Sequence, residues 1–228
     1  MASGAKCFIF NRESDWKEGG ISRNLEIKED KLVFENKTGD SAIYISKPFD
    51  SLQSGTVWHR LRLKVDLPSS SSYTLKIYAN DSPEIKLPRN NEKTKNNILD
   101  LNDYLSDSTI DIGRKLDIFD AIGAKSFESP TDILLYGFKG RYLWICLEIV
   151  SYERVPVVID SVKIEFPKIT FMDYLPEIYR KNETENSFLT RFLGIFQSIY
   201  VDLEDEIDFV ALNFDPDRTT KDFLSWIA

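Results

Sequence analysis

The sequence has few of the residues on which covalent cross-links and many catalytic sites depend. It contains two cysteines, Cys7 and Cys146, and one histidine, His59, among 228 residues. Two cysteines do not make a framework of disulfides, and with a single histidine they give little support to a metal site. We therefore expect two reduced, buried thiols and neither a metal nor a cofactor.

Long apolar runs and secretory features are also missing. No stretch reaches the roughly 18 apolar residues of a membrane-spanning helix, so membrane insertion is not expected. The N-terminus, residues 1–6, lacks the apolar core of a signal peptide. These absences predict a protein that is made in the cytoplasm.

Catalytic signatures are equally scarce. The sequence around His59 shows no Ser-His-Asp pattern, and the scattered glycines do not form a phosphate-binding loop. Glu148 and Asp160 lie on neighbouring predicted strands and could be imagined as a glycosidase pair, although solvated strand carboxylates are far commoner. The sequence thus predicts a protein that is not an enzyme.

Basic residues are few in the last part of the chain. From Thr170 onward there are five basic and twelve acidic side chains, which carry −7 of the total net charge of −8. Phosphate groups would be repelled by this charge, so nucleic acid is excluded as a partner of this part. A basic protein surface would be attracted instead.

The first part of the chain is rich in alternating apolar and polar residues, a pattern typical of strands with one buried face. Val57–Asp66 and Tyr73–Ala79 show it most clearly, and the polar, turn-prone segment between them predicts that they form a hairpin. Tyr142–Val150 is apolar on both faces, which predicts a central strand covered on both sides. The other predicted strands are Cys7–Phe10, Leu25–Lys28, Lys31–Glu35, Ala42–Ser46, Ile133–Phe138 and Val157–Phe166.

Residues 80–130 interrupt this alternation with prolines and an Asn- and Lys-rich run. Ile98–Leu105 could form a short helix there. Long loops of this kind are uncommon unless they are functional or disordered. We interpret the segment as an irregular insertion, either a partner-binding loop or a poorly ordered excursion.

Beyond Pro167 the apolar period changes from two residues to three or four. From Phe188 to Val210 it predicts an amphipathic helix of about 22 residues. A second helix begins near Thr219 and stops after barely two turns, with Phe223, Trp226 and Ile227 on its apolar face. Because so short a helix is marginal by itself, we expect the chain to be truncated here or to dock on another subunit.

Two further features have competing interpretations. Asp202, Asp205 and Glu206 lie in an acidic run that is either a solvated helix face or an electrostatic contact to a basic neighbour. Trp58 alternates to the polar side of its predicted strand, which makes it a candidate platform for a sugar ring.

Five short motifs in the C-terminal part follow one another in order. They are Tyr174-Leu-Pro-Glu-Ile-Tyr-Arg180, Phe188-Leu-Thr-Arg-Phe-Leu193, Leu203-Glu-Asp-Glu-Ile-Asp208, Phe214-Asp-Pro216 and Phe223-Leu-Ser-Trp-Ile-Ala228. Together they resemble a tail-protein domain found in baseplate components of contractile phage tails, tailocins and related injection systems. The preceding segments Gly140–Trp144 and Ser161–Pro167 are similar to the part that leads into that domain.

The resemblance covers roughly residues 140–228 and implies a structural role in a baseplate, with other baseplate or tail subunits as partners. It implies that the chain becomes a component of a virion or phage-tail-like particle. In the family the last motif continues into a further Trp-containing helix, which agrees with a truncated C-terminus. Rigid amphipathic side chains suit such an interface, and the candidates are Tyr174, Leu175, Tyr179, Phe223, Trp226 and Ile227.

These observations predict a fold class that is β-rich plus α. An N-terminal antiparallel β-sandwich, jelly-roll-like, occupies residues 1–167, and a small helical domain occupies residues 168–228. The predicted function is a structural component of a contractile particle that assembles through its helical segment. The alternative is a carbohydrate-binding β-sandwich that recognises a cell surface.

Overall fold

The computed structural model of the chain describes residues 6–36, 41–87, 98–152, 155–166, 171–180 and 188–213. The chain forms two compact units, Met1–Lys168 and Ile169–Ala228. The first unit is built from antiparallel sheets and the second is helical where it is described. The predicted fold class, β-rich plus α with a C-terminal helical part, is confirmed.

The strands of the first sheet are β1 (Lys6–Phe10), β3 (Glu26–Lys28), β4 (Lys31–Phe34), β7 (Arg60–Asp66), β12 (Asp132–Leu134) and β14 (Val157–Phe166). Their order is β12-β7-β14-β4-β3, and β1 pairs with the far end of β14. The long strand β14 therefore lies at the centre, with β7 along one side and β1 and β4 along the other.

The strands of the second sheet are β2 (Gly20–Arg23), β5 (Ala42–Ser46), β6 (Phe49–Asp50), β8 (Ser71–Asn80), β11 (Lys125–Glu128) and β13 (Tyr142–Ser151). Their order is β11-β8-β13-β5-β2, and the two-residue strand β6 also pairs with β13. The longest pairing joins β8 and β13 over ten residue pairs, from Tyr142 opposite Asn80 to Ser151 opposite Ser71.

The main core fills the space between the two sheets. Leu61 and Leu63 of β7 meet Leu75 and Ile77 of β8 there, and all four are buried. An aromatic row closes one side of this core. Its rings come from both sheets and from helix α1 (Glu13–Gly19), and its members are Phe8, Phe10, Trp16, Tyr44, Phe49, Trp58 and Phe166.

The predicted hairpin of Val57–Asp66 and Tyr73–Ala79 is wrong. Strand β7 pairs with β12 and β14, whereas β8 pairs with β11 and β13, so the connection between them crosses from one sheet to the other. Both segments alternate because both turn an apolar face towards the shared core. The period of a strand reports which face is buried but not which strand lies beside it.

Strand β13 is buried on both faces, as the sequence predicts for Tyr142–Val150. One face joins the main core, and the other face presents Trp144 and Cys146 to a second apolar cluster. Helices lie over this outer face and contribute Leu101, Leu105 and Phe119. The layer that covers the sheet consists of β9 (Glu84–Lys86), β10 (Ile98–Asp100), α2 (Leu101–Ser106) and α3 (Ile112–Ala121).

The described part of residues 80–130 is therefore more regular than the predicted irregular insertion. The predicted helix Ile98–Leu105 is a strand for three residues and then becomes α2, where Asp100 caps the N-terminus by accepting bonds from two backbone amides. Asp111 caps α3 by accepting a bond from the backbone amide of Gly113. The covering layer hides apolar surface of the second sheet that would otherwise face solvent.

Two buried lysines fasten helix α3 to its surroundings. Lys76 of β8 donates to both oxygens of Asp120, at 2.7 and 2.8 Å, and Lys115 donates to the backbone carbonyl of Leu105 at 2.7 Å. Both lysine residues are buried, so each ammonium group depends on its acceptor. These contacts fix the position of α3 on the sheet and against α2.

The two cysteines differ in their environment. Cys146 is buried beneath the covering layer, and burial raises the pKa of its thiol. Cys7 lies on the outward side of β1 and is exposed, so the expectation that both thiols are buried is wrong for Cys7. Only one face of strand β1 packs on the core. Because side chains alternate along a strand, Phe8 and Phe10 point towards the core and Cys7 points away from it.

Trp58 is not a sugar platform. It is 1% exposed, lies before the first residue of β7, and packs against Phe166 with ring centroids 4.9 Å apart. Its indole Nε1 donates to the carbonyl of Gly140 at 2.9 Å. Because the chain is irregular at Trp58, the alternation of the following strand does not extend to it, and the tryptophan turns inward.

We expect Trp58→Ala to destabilise the β unit by about 3–5 kcal/mol, because it removes a large side chain from a filled core. Chemical denaturation followed by near-UV circular dichroism would measure the change. Tyr152→Ala is the matched control: Tyr152 is 83% exposed, and its loss should cost less than about 0.5 kcal/mol. Equal stability of the two variants would contradict the burial of Trp58.

We also expect Asp120→Ala to loosen the covering layer, because it leaves the buried ammonium of Lys76 without its carboxylate. In a Cys7→Ser background, the labelling rate of Cys146 by a thiol reagent should rise about tenfold. Asp117→Ala removes an exposed carboxylate from the same helix and should leave the rate unchanged. Labelling of the Asp120 variant at the parent rate would show that the ion pair does not hold the layer closed.

Candidate assembly surface

The helical unit begins with short elements. A 3-10 turn spans Phe171–Tyr174, and α4 (Glu177–Arg180) follows Pro176, whose carbonyl accepts a bond from the backbone amide of Tyr179 at 3.0 Å. Proline suits this place because its fixed φ precedes the first helical turn. The predicted helix is α5 (Phe188–Asn213), 26 residues long.

Helix α5 presents a stripe of large apolar side chains to solvent. Phe188, Phe192 and Phe196 recur eleven residues later as Ile199, Leu203 and Ile207. An 11-residue repeat corresponds to about 3.67 residues per turn, so the stripe runs almost straight along the helix for about 29 Å. All six side chains are between 44% and 81% exposed.

The buried side of α5 is the less apolar one. Gly194, Gln197 and Ser198 are buried, and the hydroxyl of Ser198 donates to the carbonyl of Gly194 at 2.9 Å. Glycine and serine permit close approach of a neighbouring backbone, so small residues suit this side. Within the stripe on the other side, the ring of Phe192 contacts the rings of Phe188 and Phe196, with centroid distances of 5.8 and 4.9 Å.

The predicted interface residues before α5 are also accessible. Tyr174 and Tyr179 are exposed, and Leu175 is half-buried. Phe223, Trp226 and Ile227 lie outside the described residues. Two exposed side chains were missed by the sequence reasoning, Ile178 and Ile195. Ile195 lies seven residues, or about two helical turns, after Phe188, so helical spacing predicts that it lies on the same face.

The acidic run occupies the second half of α5. Asp202, Asp205 and Glu206 all fall within the helix, and Asp202 is half-buried. Only the backbone placement of Asp205 and Glu206 is described. Between Phe188 and Asn213 the helix carries five acidic residues and one basic residue, Arg191. Charge and apolar surface therefore lie on the same element.

Elsewhere the described residues offer little catalytic chemistry. Among them, no cluster of three metal-ligating side chains occurs, and no described helix is long and apolar enough to span a membrane. Glu148 and Asp160 lie in different sheets. Lys31 and Lys64 each lie 2.8 Å from the Asp160 carboxylate, and their hydrogen bonds lower its pKa, which is opposite to the shift that a glycosidase acid needs.

A cleft opens at the edge of the second sheet, between β2, β5 and α2. Its walls are mostly apolar and include Ile21, Ile45, Pro48 and Leu105, and its volume is about 50 Å³. Sites for small molecules usually have about 300–1,000 Å³. The cleft is therefore too small for a typical substrate and has room for a side chain.

Comparison with known proteins identifies no family. No protein-family model matches the chain, and no curated protein matches it. Among solved structures, a chain of a "Glycosylation Associate Protein (Gap123) complex from Streptococcus agalactiae" is similar, with 11% identity and a TM-score of 0.28. The match covers 64% of this chain and 26% of that chain, and so low a TM-score carries no argument about fold or function.

Proposed function

We propose that this chain is a structural component of a phage-tail-like contractile particle and that it assembles in the baseplate through its helical C-terminal segment. The observation that carries the proposal is the exposed apolar stripe of α5. The motifs between Tyr174 and Ala228, which resemble a tail-protein domain, supply the type of particle. The partners are other baseplate or tail subunits.

The energetics of the stripe favour association. Burial of one Phe, Leu or Ile side chain stabilises by about 1.5–3 kcal/mol relative to exposure, and the six side chains of the stripe on α5 are all exposed to water. Contiguous apolar surface of this kind marks sites of protein–protein contact. The free-energy cost of immobilising the two partners offsets a large part of this stabilisation. Burial of a single residue would therefore not be sufficient, whereas burial of the whole stripe would be.

The partner surface is basic and apolar in this proposal. The five acidic residues of α5 are spread over less than two turns, from Asp202 to Asp208, and Arg191 is more than two turns away. Complementary charge speeds association and rejects acidic partners. Added salt should therefore slow the association, while the apolar contacts continue to hold the complex.

The protein is not an enzyme in this proposal, and it is made in the cytoplasm before it joins the particle. Its β unit has a filled inter-sheet core and one outer face that is itself covered. Such a unit serves as a rigid body that holds the helical segment in the particle. The sugar-binding alternative has lost the residue on which it rested, because Trp58 belongs to the core.

We expect the double substitution Ile199→Ser and Leu203→Ser to abolish incorporation into the particle without unfolding the chain, because both side chains are exposed. Particles would be purified from producer cells in which the variant replaces the parent chain, and its amount would be measured by mass spectrometry relative to the other particle proteins. Incorporation should fall by more than about tenfold.

Tyr152→Ser is the control for this experiment, since it removes an exposed aromatic residue from the β unit and should assemble normally. Melting curves of both purified variants would show that each is folded. Absence of the parent chain from purified particles, or parent-like incorporation of the double variant, would refute the proposal.

A further inference from the structure

The apolar stripe of α5 has the same spacing when it is followed from either end. From Phe188 to Ile207 the intervals between its six members are four, four, three, four and four residues, so its midpoint lies between Gln197 and Ser198. The members at equal distances from this midpoint are Phe188 and Ile207, Phe192 and Leu203, and Phe196 and Ile199. A second copy of the helix that runs in the opposite direction therefore presents an apolar residue opposite each apolar residue of the first.

The charges of α5 are distributed without this symmetry. Phe188–Val201 contains no acidic residue and one basic residue, Arg191, whereas Asp202–Asn213 contains all five acidic residues of the helix. Two copies that ran in the same direction would place their acidic halves side by side, and juxtaposed like charges are costly at an interface. In an antiparallel pair, the acidic half of each copy lies beside the half of the other copy that has no acidic residue. Charge therefore favours the antiparallel direction.

One edge of the stripe carries charges of both signs at matching levels. Asp202 lies eleven residues after Arg191, and Glu206 lies four residues after Asp202, so all three positions fall on the same edge of the helix. In an antiparallel pair with two-fold symmetry, this edge faces the same edge of the other copy. Arg191 then lies at a level between Asp202 and Glu206 of the other copy, about 3 Å along the helix axis from each position.

We propose that two copies of the free chain pair through α5, antiparallel about a two-fold axis at the midpoint of the stripe. Each copy then covers the exposed stripe of the other over its whole length of about 29 Å. The second copy is the occupant because it supplies both the matching apolar spacing and the basic residue opposite the acidic edge. Each contact forms twice, at symmetry-related places.

The dimer covers the same stripe as the proposed assembly contact, so a chain cannot use both contacts at once. This exclusion rests on the proposed function, whereas the dimer itself does not. The second copy offers one basic residue to each acidic edge, and a more basic subunit would displace it because its charge is more complementary. The dimer would thus protect the stripe from water and from other apolar surfaces before the chain joins a particle.

Disulfide formation between the two copies tests their direction. In a Cys7→Ser background, Phe192→Cys and Leu203→Cys are prepared separately, one of them with an added tag, and are oxidised alone and as a mixture. In the antiparallel pair, position 192 of one copy lies opposite position 203 of the other, whereas identical positions are about 16 Å apart along the axis. Because a disulfide requires close Cα atoms, the mixture should form a covalent heterodimer at least about tenfold faster than either variant forms a homodimer.

A parallel pair would give the opposite result, since each cysteine would then meet its own copy in the other chain. Faster homodimer formation, or equal rates in all three samples, would overturn the proposal. A mixture of Phe192→Cys with Tyr152→Cys is the control for random collision, because Tyr152 is exposed in the β unit. This mixture should form its heterodimer at the slow rate.

Sedimentation of the full chain, up to about 1 mM, tests the association and its charge contacts. Arg191→Glu should weaken the dimer about fivefold or more, because it introduces repulsion at both ends of the pair. Addition of Asp202→Arg and Glu206→Arg restores opposite signs and should return the affinity to within about twofold of the parent. Addition of Asp117→Arg and Glu128→Arg instead gives the same net charge at exposed positions of the β unit and should not restore it.

The outcome is independent of the experiment on particle assembly. Arg191→Glu keeps every apolar member of the stripe and suits a basic partner, so it should weaken the dimer and still be incorporated into particles at the parent level. A parent chain that remains monomeric over the whole range would assign the stripe to other subunits alone and refute the dimer. A dimer that Arg191→Glu leaves unchanged, or that both added pairs restore equally, would also refute it, and none of these results would affect the proposed function.

Discussion

The burial of β13 on both of its faces is the constraint on which the rest of the β unit depends. Its inward side chains, from Leu143 to Ile149, fill the core between the sheets, while Trp144 and Cys146 point the other way. An apolar strand of this kind must be covered twice, so the second sheet is an inner layer. The elements β9, β10, α2 and α3 supply the second cover, and this is the physical reason why the strand pattern is interrupted between β8 and β11.

Local periodicity predicts which segments become strands or helices but not how they are paired. The strands Ala42–Ser46 and Val157–Phe166 and the long helix from Phe188 are all predicted from the sequence. The helix repeats one period of three to four residues, whereas Ala42–Ser46 is a short apolar run that is buried throughout. The alternation of Val157–Phe166 shifts at a bulge between Ile159 and Ser161. The alternation does not predict that β7 and β8 lie in different sheets, because two strands on opposite sides of one core show the same alternation. Helix α3 is missed for another reason: its interior holds Lys115, whose acceptor lies ten residues away.

Trp58 illustrates how tertiary contacts override a pattern. Its backbone amide donates to the carbonyl of Phe138 and its indole to that of Gly140, so both groups bind a segment about 80 residues away. Gly140 has φ +149°, and a Cβ there would lie 2.4 Å from the backbone of Asn80. Only glycine allows the close approach that brings the acceptor to the indole. In the sequence, Trp58 is an isolated tryptophan next to a strand. In the structure, its contact with Gly140 also depends on the segment around Asn80, so three segments of the chain are needed to form it.

The two units place their large apolar side chains in opposite environments, and this difference supports different roles for the two units. The β unit encloses its large side chains in two clusters, whereas α5 buries Gly194 and Ser198 and exposes phenylalanine, leucine and isoleucine. A bare apolar stripe alone would bind many partners, because the hydrophobic effect is not directional. In the proposed assembly, the acidic residues from Asp202 onward restrict that choice, since any partner that covers the stripe must also approach negative charge. On that proposal, affinity and selectivity come from different residues of one helix.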